Sequence, residues 1–98
     1  MTVSIDLPRL IGTRDAAIRL LEQQDIPLIL TDERVCIDAR DLSTATSSFT
    51  DELLDQLARR HAHEIVIVRA PSEFKQQVTD SISAHNWTNV SIKSLATH

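Results

Sequence analysis

Apolar and polar residues along the chain switch several times between the two-residue period of strands and the helical period of about 3.6 residues. Apolar residues at positions 3, 5 and 7 alternate with polar ones, which predicts a half-buried first strand that ends at Pro8. After Gly12, Thr13 is placed to cap a first helix. Apolar residues at positions 16, 17, 20 and 21 then fall on one helical face, up to about Gln24.

The stretch from Ile26 to Ile37 contains two apolar segments separated by a polar turn. Ile26 and residues 28–30 form the first segment, and residues 35–37 form the second. Two strands joined by a tight turn is the simplest interpretation of this pattern. A single strand at residues 35–37 with an irregular lead-in is the alternative.

The middle of the chain predicts a helix followed by a buried strand. The helix runs from Ser48 to about Arg60, with apolar residues at positions 49, 53, 54, 57 and 58 on one face. Asp51 and Glu52 fall in its predicted first turn and basic residues in its last, as the helix dipole favours. Residues 65–68 are a β-branched run, which is typical of a central strand covered on both faces and parallel to its neighbours.

A third helix is predicted to open at Pro71 and Ser72, and a last half-exposed strand runs from Trp87 through Ile92. This order of elements predicts an α/β fold with a mixed four- or five-stranded sheet and about three helices, in one domain spanning residues 1–98. The first and last strands are candidate sheet edges. Because edges invite pairing, a homodimer is a further prediction.

Composition narrows the range of functions. The chain has 98 residues, of which 42% are hydrophobic and 24% charged, and its formal net charge is −4, which disfavours a nucleic-acid surface. No segment reaches membrane-spanning length, and the N-terminus lacks the pattern of a signal peptide, so we expect a cytoplasmic protein. The single cysteine, Cys36, lies in an apolar strand and is expected to be a buried, inert thiol rather than a nucleophile or a partner in an intermolecular disulfide.

The junction between the strand at residues 35–37 and the second helix carries the most informative chemistry. The strand leads through Asp38 into a loop rich in hydroxyl side chains, and the helix begins near Ser47 or Ser48. Such a junction points backbone N–H groups and the positive end of a helix dipole at one place. It predicts a site for an anion, a phosphorylated hydroxyl or a docking partner.

The same junction resembles a known family. The sequence IDARDLS at residues 37–43, followed by TSS at 46–48 and a helix, is similar to the STAS domain of anti-sigma-factor antagonists, where Asp-Ser-Ser-Gly-Leu follows a strand ending in Leu-Asp-Leu. The sequence SFTDEL at 48–53, with GTR at 12–14 opening an earlier helix, more closely resembles a small bacterial family of STAS-like domains of unknown function. In that family the order of strands and helices is shared over most of the chain.

The resemblance implies a STAS-like fold and a role in signalling. In the antagonists the second serine of the pair is phosphorylated by a histidine-kinase-like ATPase with anti-sigma activity, which makes Ser48 the corresponding phosphoacceptor and such an ATPase the implied partner. Two positions depart from the pattern, since Thr46 replaces the acid and Phe49 replaces the glycine. A binding and switching module is therefore favoured over a simple phosphorylation switch. The candidate partner-binding or phosphoacceptor residues are Ser48, Ser47, Phe49, Asp51, Glu52, Asp38 and Arg14.

Each candidate also has an ordinary structural explanation. Ser48 followed by Asp51 matches a variant of the helix capping box, so the serine is explained by capping alone. Arg14 is explained as a solvated surface arginine. Asp38 and Asp41 are a candidate cation-binding pair, but two carboxylates without further ligands are more often turn residues that bond local N–H groups.

Metal and catalytic sites find little support in the sequence. His61 and His63, taken with His85 or His98, lack the spacing of a zinc site, and we expect neither metal nor cofactor. The chain shows no Ser-His-acid order, and its one glycine cannot build a phosphate-binding loop. No catalytic residue is predicted.

Two classes of function remain. The first is a regulatory protein–protein interaction domain that docks a signalling partner through residues 47–52. The second is a small anion- or nucleotide-binding domain, or an enzyme, that uses the same helix N-terminus. The first is favoured, because the chain has a candidate docking surface and lacks a nucleophile–base pair or a convincing set of metal ligands.

Overall fold

The computed structural model describes residues 2–93, which form three helices and six strands. Their bounds in chain order are β1 Thr2–Asp6, β2 Leu10–Ile11, α1 Arg14–Gln23, β3 Arg34–Asp38, β4 Thr44–Ala45, α2 Ser47–Arg59, β5 Glu64–Val68, α3 Ser72–His85 and β6 Val90–Lys93. The predicted α/β class, the four main strands and the three helices are confirmed. The short strands β2 and β4 were not predicted.

The main sheet has the strand order β1-β3-β5-β6, and each of its three pairings is parallel. A helix separates each strand from the next one in this order, as parallel pairing requires. The expectation of a mixed sheet is corrected on this point. Strands β2 and β4 form a second, two-stranded parallel sheet that joins Leu10 to Thr44 and Ile11 to Ala45.

One hydrophobic core lies between the helices and one face of the sheet. The inward residues of the strands share register positions: Ile5, Ile37 and Ile67 lie side by side in one row. These three side chains are fully buried, and they belong to the same cluster as the buried hydrophobic residues of all three helices. Along the chain, each new strand of the main sheet is added on the same side of the preceding one. Right-handed crossover connections therefore place all three helices on the same face of the sheet.

The opposite face of the sheet is largely polar. Its central row contains Ser4, Cys36, Val66 and Ser91, of which only Val66 is buried. Val66 lies outside the main core cluster, whereas Ile65 and Ile67 lie inside it. Strand β5 is central, as predicted, but helices cover it on one side only.

The segment between α1 and β3 differs from the preferred prediction. Residues 26–30 form no strand, so the alternative of one strand with an irregular lead-in is correct. Ile26 and Leu30 are buried, whereas Leu28 and Ile29 are largely exposed. No neighbouring strand pairs with this apolar run, so it forms a loop. Its two buried ends anchor that loop to the core.

Strands β1 and β6 are the edges of the main sheet, in agreement with their half-exposed patterns. At the end of β1, the side-chain amide of Gln24 pairs with the backbone of Asp6. Gln24 Oε1 accepts from the Asp6 N–H at 3.1 Å, and its Nε2 donates to the Asp6 carbonyl at 2.8 Å. The amide thus occupies backbone groups that an added strand would use. Whether two copies associate stays a prediction.

Within residues 2–93, no helix is both long and apolar enough to cross a membrane.

Candidate functional site

The N-terminus of α2 is built one residue earlier than the sequence pattern indicates. Thr46 has an extended backbone and is the N-cap, and its Oγ1 accepts from the Phe49 N–H at 3.2 Å. The helix then starts at Ser47, so the prediction that Ser48 caps it is wrong. Asp51 and Glu52 fall after the first turn, which contains no acidic residue, and the expected dipole pairing there is also wrong.

Ser47 and Ser48 are consequently the first two residues of the helix. Both are exposed, and within the part of the chain that the structure describes no hydrogen bond involves either hydroxyl. Since Thr46 supplies the cap, capping does not explain Ser48. The two hydroxyls are available to a molecule that approaches the start of α2.

These serines line a groove of about 280 Å³ to which all three helices contribute. Helix α1 provides Arg14, α2 provides Ser47, Ser48 and Asp51, and α3 provides Gln77, Asp80, Ser81 and Ala84. Four of the seven predicted site residues are thus brought to one place. A fifth, Glu52, is adjacent, because it lies 3.3 Å from the Arg14 guanidinium.

Asp51 is the most highly connected side chain of the groove. Its Oδ1 accepts from Ser81 Oγ at 2.7 Å and lies 2.8 Å from His85 Nε2. Because a carboxylate only accepts, this nitrogen of His85 carries the proton. Arg14 Nη1 lies 4.0 Å from the other carboxylate oxygen. Asp51 therefore links α2 to α3 and lies close to a cation from α1.

The pKa of Asp51 reflects opposing effects. Partial burial raises it, but hydrogen bonds from Ser81 and His85, together with the charges of His85 and Arg14, outweigh that effect. The pKa of Asp51 is held below its ordinary value of 3.8, so the groove carries this negative charge at neutral pH.

Helix α3 presents a row of polar residues to α2, at positions 77, 81 and 85. Gln77 Oε1 accepts from Thr50 Oγ1 at 2.9 Å, and Gln77 Nε2 donates to the Ala45 carbonyl at 2.8 Å. Thr50 is 1% exposed, and Ser81 is 6% exposed. The interface between α2 and α3 is therefore joined by buried polar contacts as well as by apolar ones.

The α3 wall of the groove was not predicted. Its signal in the sequence is the i, i+4 spacing of Gln77, Ser81 and His85, which places them on one face. The same spacing is typical of a solvated helix face, because all three side chains are polar. Only the packing of α3 against α2 distinguishes the two cases.

Phe49 and Asp38 do not belong to the groove. Phe49 is 0% exposed and lies in the hydrophobic core, so its prediction as a partner contact is wrong. Asp38 ends β3, where its Oδ1 accepts from the Arg40 N–H at 2.9 Å and its Oδ2 lies 3.9 Å from Arg69. It therefore acts as a local turn residue, in agreement with its structural explanation.

The arrangement suits recognition better than bond cleavage. Ser81 and His85 both bond to Asp51 and not to each other, so this trio lacks the order of a nucleophile and its general base. Among residues 2–93 there is no group of three or more histidine, cysteine or acidic side chains that could hold a metal ion. His98 lies outside the described residues. Cys36 is a partly exposed free thiol, so the expectation that it is buried is wrong.

Comparison with known proteins gives one match. No curated protein and no solved structure matches the chain. The family model of a STAS-like domain of unknown function matches residues 16–70, which extend from α1 to just beyond β5 and include the start of α2. Because this match covers more than half of the sequence, the chain belongs to the family of STAS-like domains of unknown function.

Proposed function

We propose that this domain is a regulatory protein–protein interaction module. It docks a signalling partner through the groove at the start of α2, and phosphorylation of Ser48 controls the docking. The groove then acts as a recognition surface, and the domain has no catalytic activity of its own.

The observation that carries the proposal is the exposure of two uncommitted serine hydroxyls on a groove built by three helices. Thr46 already caps α2, so the hydroxyls of Ser47 and Ser48 are not needed for the N-cap hydrogen bond. The surrounding side chains are held by the Asp51 contacts with Ser81 and His85. A pre-organised polar surface of this kind binds a partner without an added cost of ordering its side chains.

Phosphorylation of Ser48 would change the charge of this groove strongly. Arg14 and the two carboxylates of Asp51 and Asp80 line the groove. A phosphate adds a charge of about −1.5 to −2 at neutral pH. The helix N-terminus and Arg14 favour a phosphate there, whereas the carboxylates oppose it. The modification would therefore alter docking without unfolding α2.

The partner class is taken from the resemblance of residues 46–48 to the antagonist motif. By that resemblance the partner is a histidine-kinase-like ATPase of the anti-sigma type, which would both bind the groove and phosphorylate Ser48. The family match includes the start of α2, so the proposed docking residues of α2 lie inside it.

A simple anion- or nucleotide-binding function is less well supported. Two carboxylates line the groove against one guanidinium, so a free anion meets net negative charge there. Thermal stabilisation that saturates with phosphate or nucleotide concentration would favour this function over ours.

Affinity capture from the native host, followed by mass spectrometry, tests the proposal. The wild-type domain is compared with Ser48→Ala and Ser48→Asp, and phosphate is sought on Ser47 and Ser48. We expect a partner recovered with the wild type and with Ser48→Ala to be recovered differently with Ser48→Asp. Because Ser48 is exposed and does not cap the helix, both variants should keep the fold.

Ser72→Asp is the matched control. Ser72 is also an exposed serine in the first turn of a helix, but it does not line the groove. It should leave partner recovery unchanged. Equal recovery of the same partners by the wild type, Ser48→Asp and Ser72→Asp would overturn the role of Ser48.

A further inference from the structure

Two neighbouring aliphatic side chains protrude into solvent after α1. Leu28 is 78% exposed and Ile29 is 72% exposed. Single exposed aliphatic residues are common on protein surfaces and need no explanation. Two adjacent ones at this level of exposure form a compact apolar projection, which we call the aliphatic knob.

The loop that carries the aliphatic knob is held in place. Arg60 Nη1 donates to the carbonyls of Ile26 and Pro27 at 3.0 and 3.3 Å. The Leu30 N–H donates to the Arg60 carbonyl at 2.6 Å. Ile26 and Leu30 are buried on either side of the knob. The exposure of the knob is therefore a fixed feature of the fold and does not come from a loose loop.

A second apolar feature lies along α1. The segment at residues 8–11 and the adjoining face of the helix border an open-sided depression of about 190 Å³, which we call the α1 cavity. Its apolar walls are Pro8, Leu10, Ile11, Ala16 and Leu20. Leu10 is 70% exposed. A cavity of about 150 Å³ accommodates benzene, so this one has room for a leucine or isoleucine side chain.

Exposed aspartates flank the knob and exposed arginines lie at the cavity, whereas the Arg60 guanidinium is engaged with the Ile26 and Pro27 carbonyls. Arg19 lines the α1 cavity, and Arg9 precedes its wall residue Leu10; both arginines are exposed. The loop that carries the knob is flanked by Asp25 and Asp32, which are also exposed. Opposite charges at the rim of an apolar contact steer association and select its orientation.

We propose that the aliphatic knob of one copy of this chain occupies the α1 cavity of a second copy. The contact buries one of the two knob side chains, Leu28 or Ile29, against apolar walls and brings the aspartates that flank the knob to the arginines at the rim of the cavity. If the contact is reciprocal, it closes a two-fold dimer; if it is not, it extends from copy to copy. This surface is separate from the groove proposed for the signalling partner.

Sedimentation velocity over a wide range of protein concentration tests the proposal. Two variants each remove one side of the contact: Leu28→Ser with Ile29→Ser removes the knob, and Leu10→Asp places a charge at the cavity. All three positions are largely exposed, so the variants should fold. We expect the wild type to self-associate and each variant to do so at least about tenfold more weakly, which corresponds to ~1.4 kcal/mol.

Mixing the two variants is the decisive measurement. The knob variant keeps an intact cavity and the cavity variant keeps an intact knob, so their mixture should form a heterodimer that neither forms alone. Ile18→Ser is the control, because Ile18 is an exposed residue of α1 that does not line the cavity. It should leave association unchanged. A wild type that stays monomeric, a knob variant that associates like the wild type, or a mixture without heterodimer would overturn the proposal.

Discussion

Substitution of Asp51 by asparagine removes the charge at the centre of the groove and keeps the shape of the side chain. In the wild type, Ser81 and His85 bond to one oxygen of this carboxylate at 2.7 and 2.8 Å. Hydrogen bonds to a charged group contribute about 1.5–3 kcal/mol, and neutral ones about 0.5–1.5 kcal/mol. Asp51→Asn therefore weakens two contacts by about 1 kcal/mol each before any correction for solvent.

Solvent reduces this value. The side chains of Asp51 and His85 are 33% and 40% exposed, so water screens their interaction, whereas the Ser81 contact is largely buried. We expect a net loss of ~1–1.5 kcal/mol in the free energy of unfolding. Urea unfolding followed by circular dichroism measures this loss as a lower midpoint at an unchanged m value.

The loss should also depend on pH in one direction. The folded-state pKa of Asp51 is lowered, so the stabilisation from its charge is fully present above the unfolded-state pKa, near 3.9, and disappears as pH falls through the folded-state value. The wild type and Asp51→Asn should therefore differ at neutral pH and converge in acid.

Asp55→Asn is the matched control for this measurement. Asp55 lies on the same helix and pairs with the exposed Arg59 at 2.9 Å across one turn, a type of contact that contributes about 0.3–0.5 kcal/mol. Equal losses for Asp51→Asn and Asp55→Asn would refute the network as a structural link between α2 and α3. A difference between the wild type and Asp51→Asn that persists unchanged in strong acid would refute its electrostatic origin.

Two further changes test local features of the fold. Thr46→Ala should lower the free energy of unfolding by about 1 kcal/mol, because it removes the α2 N-cap, whereas Ser48→Ala should change it by less than about 0.5 kcal/mol. Urea unfolding measures both changes. A larger loss for Ser48→Ala than for Thr46→Ala would restore Ser48 as the cap. Gln24→Ala should speed amide hydrogen exchange at Asp6, measured by NMR, because that N–H loses its acceptor at the sheet edge. Glu22→Ala, an exposed change in the last turn of α1 beside its C-cap Gln24, should leave that exchange rate unaltered.

The elements with a regular period were predicted well because each buries one face. Helices α1 and α2 end within one residue of their predicted limits, and β5 is central, as its β-branched run indicates. Residues 28–30 have strand-like composition but form no strand. A short apolar run does not specify its own pairing, and here β3 already occupies the position between β1 and β5.

The candidate site was predicted only in part, because local sequence patterns identify some of its residues and not others. Ser47, Ser48 and Asp51 were found because a strand, a hydroxyl-rich loop and a helix start are local features of the sequence. Phe49 was predicted to be a partner contact because it lies within residues 47–52, although its spacing from Leu53 and Leu57 already placed it on the apolar face of α2, where the structure buries it.

The sequence by itself determined the α/β class, the order of the main elements and the place on the chain where hydroxyl groups meet a helix N-terminus. These depend on periodicity and on interactions between near neighbours in the sequence. Only the tertiary structure decided that the main sheet is parallel throughout, that Gln77, Ser81 and His85 face α2, and that Asp51 joins the two helices. Those contacts link residues about thirty positions apart. They form because three helices pack side by side on one face of the sheet, and no local pattern encodes that packing.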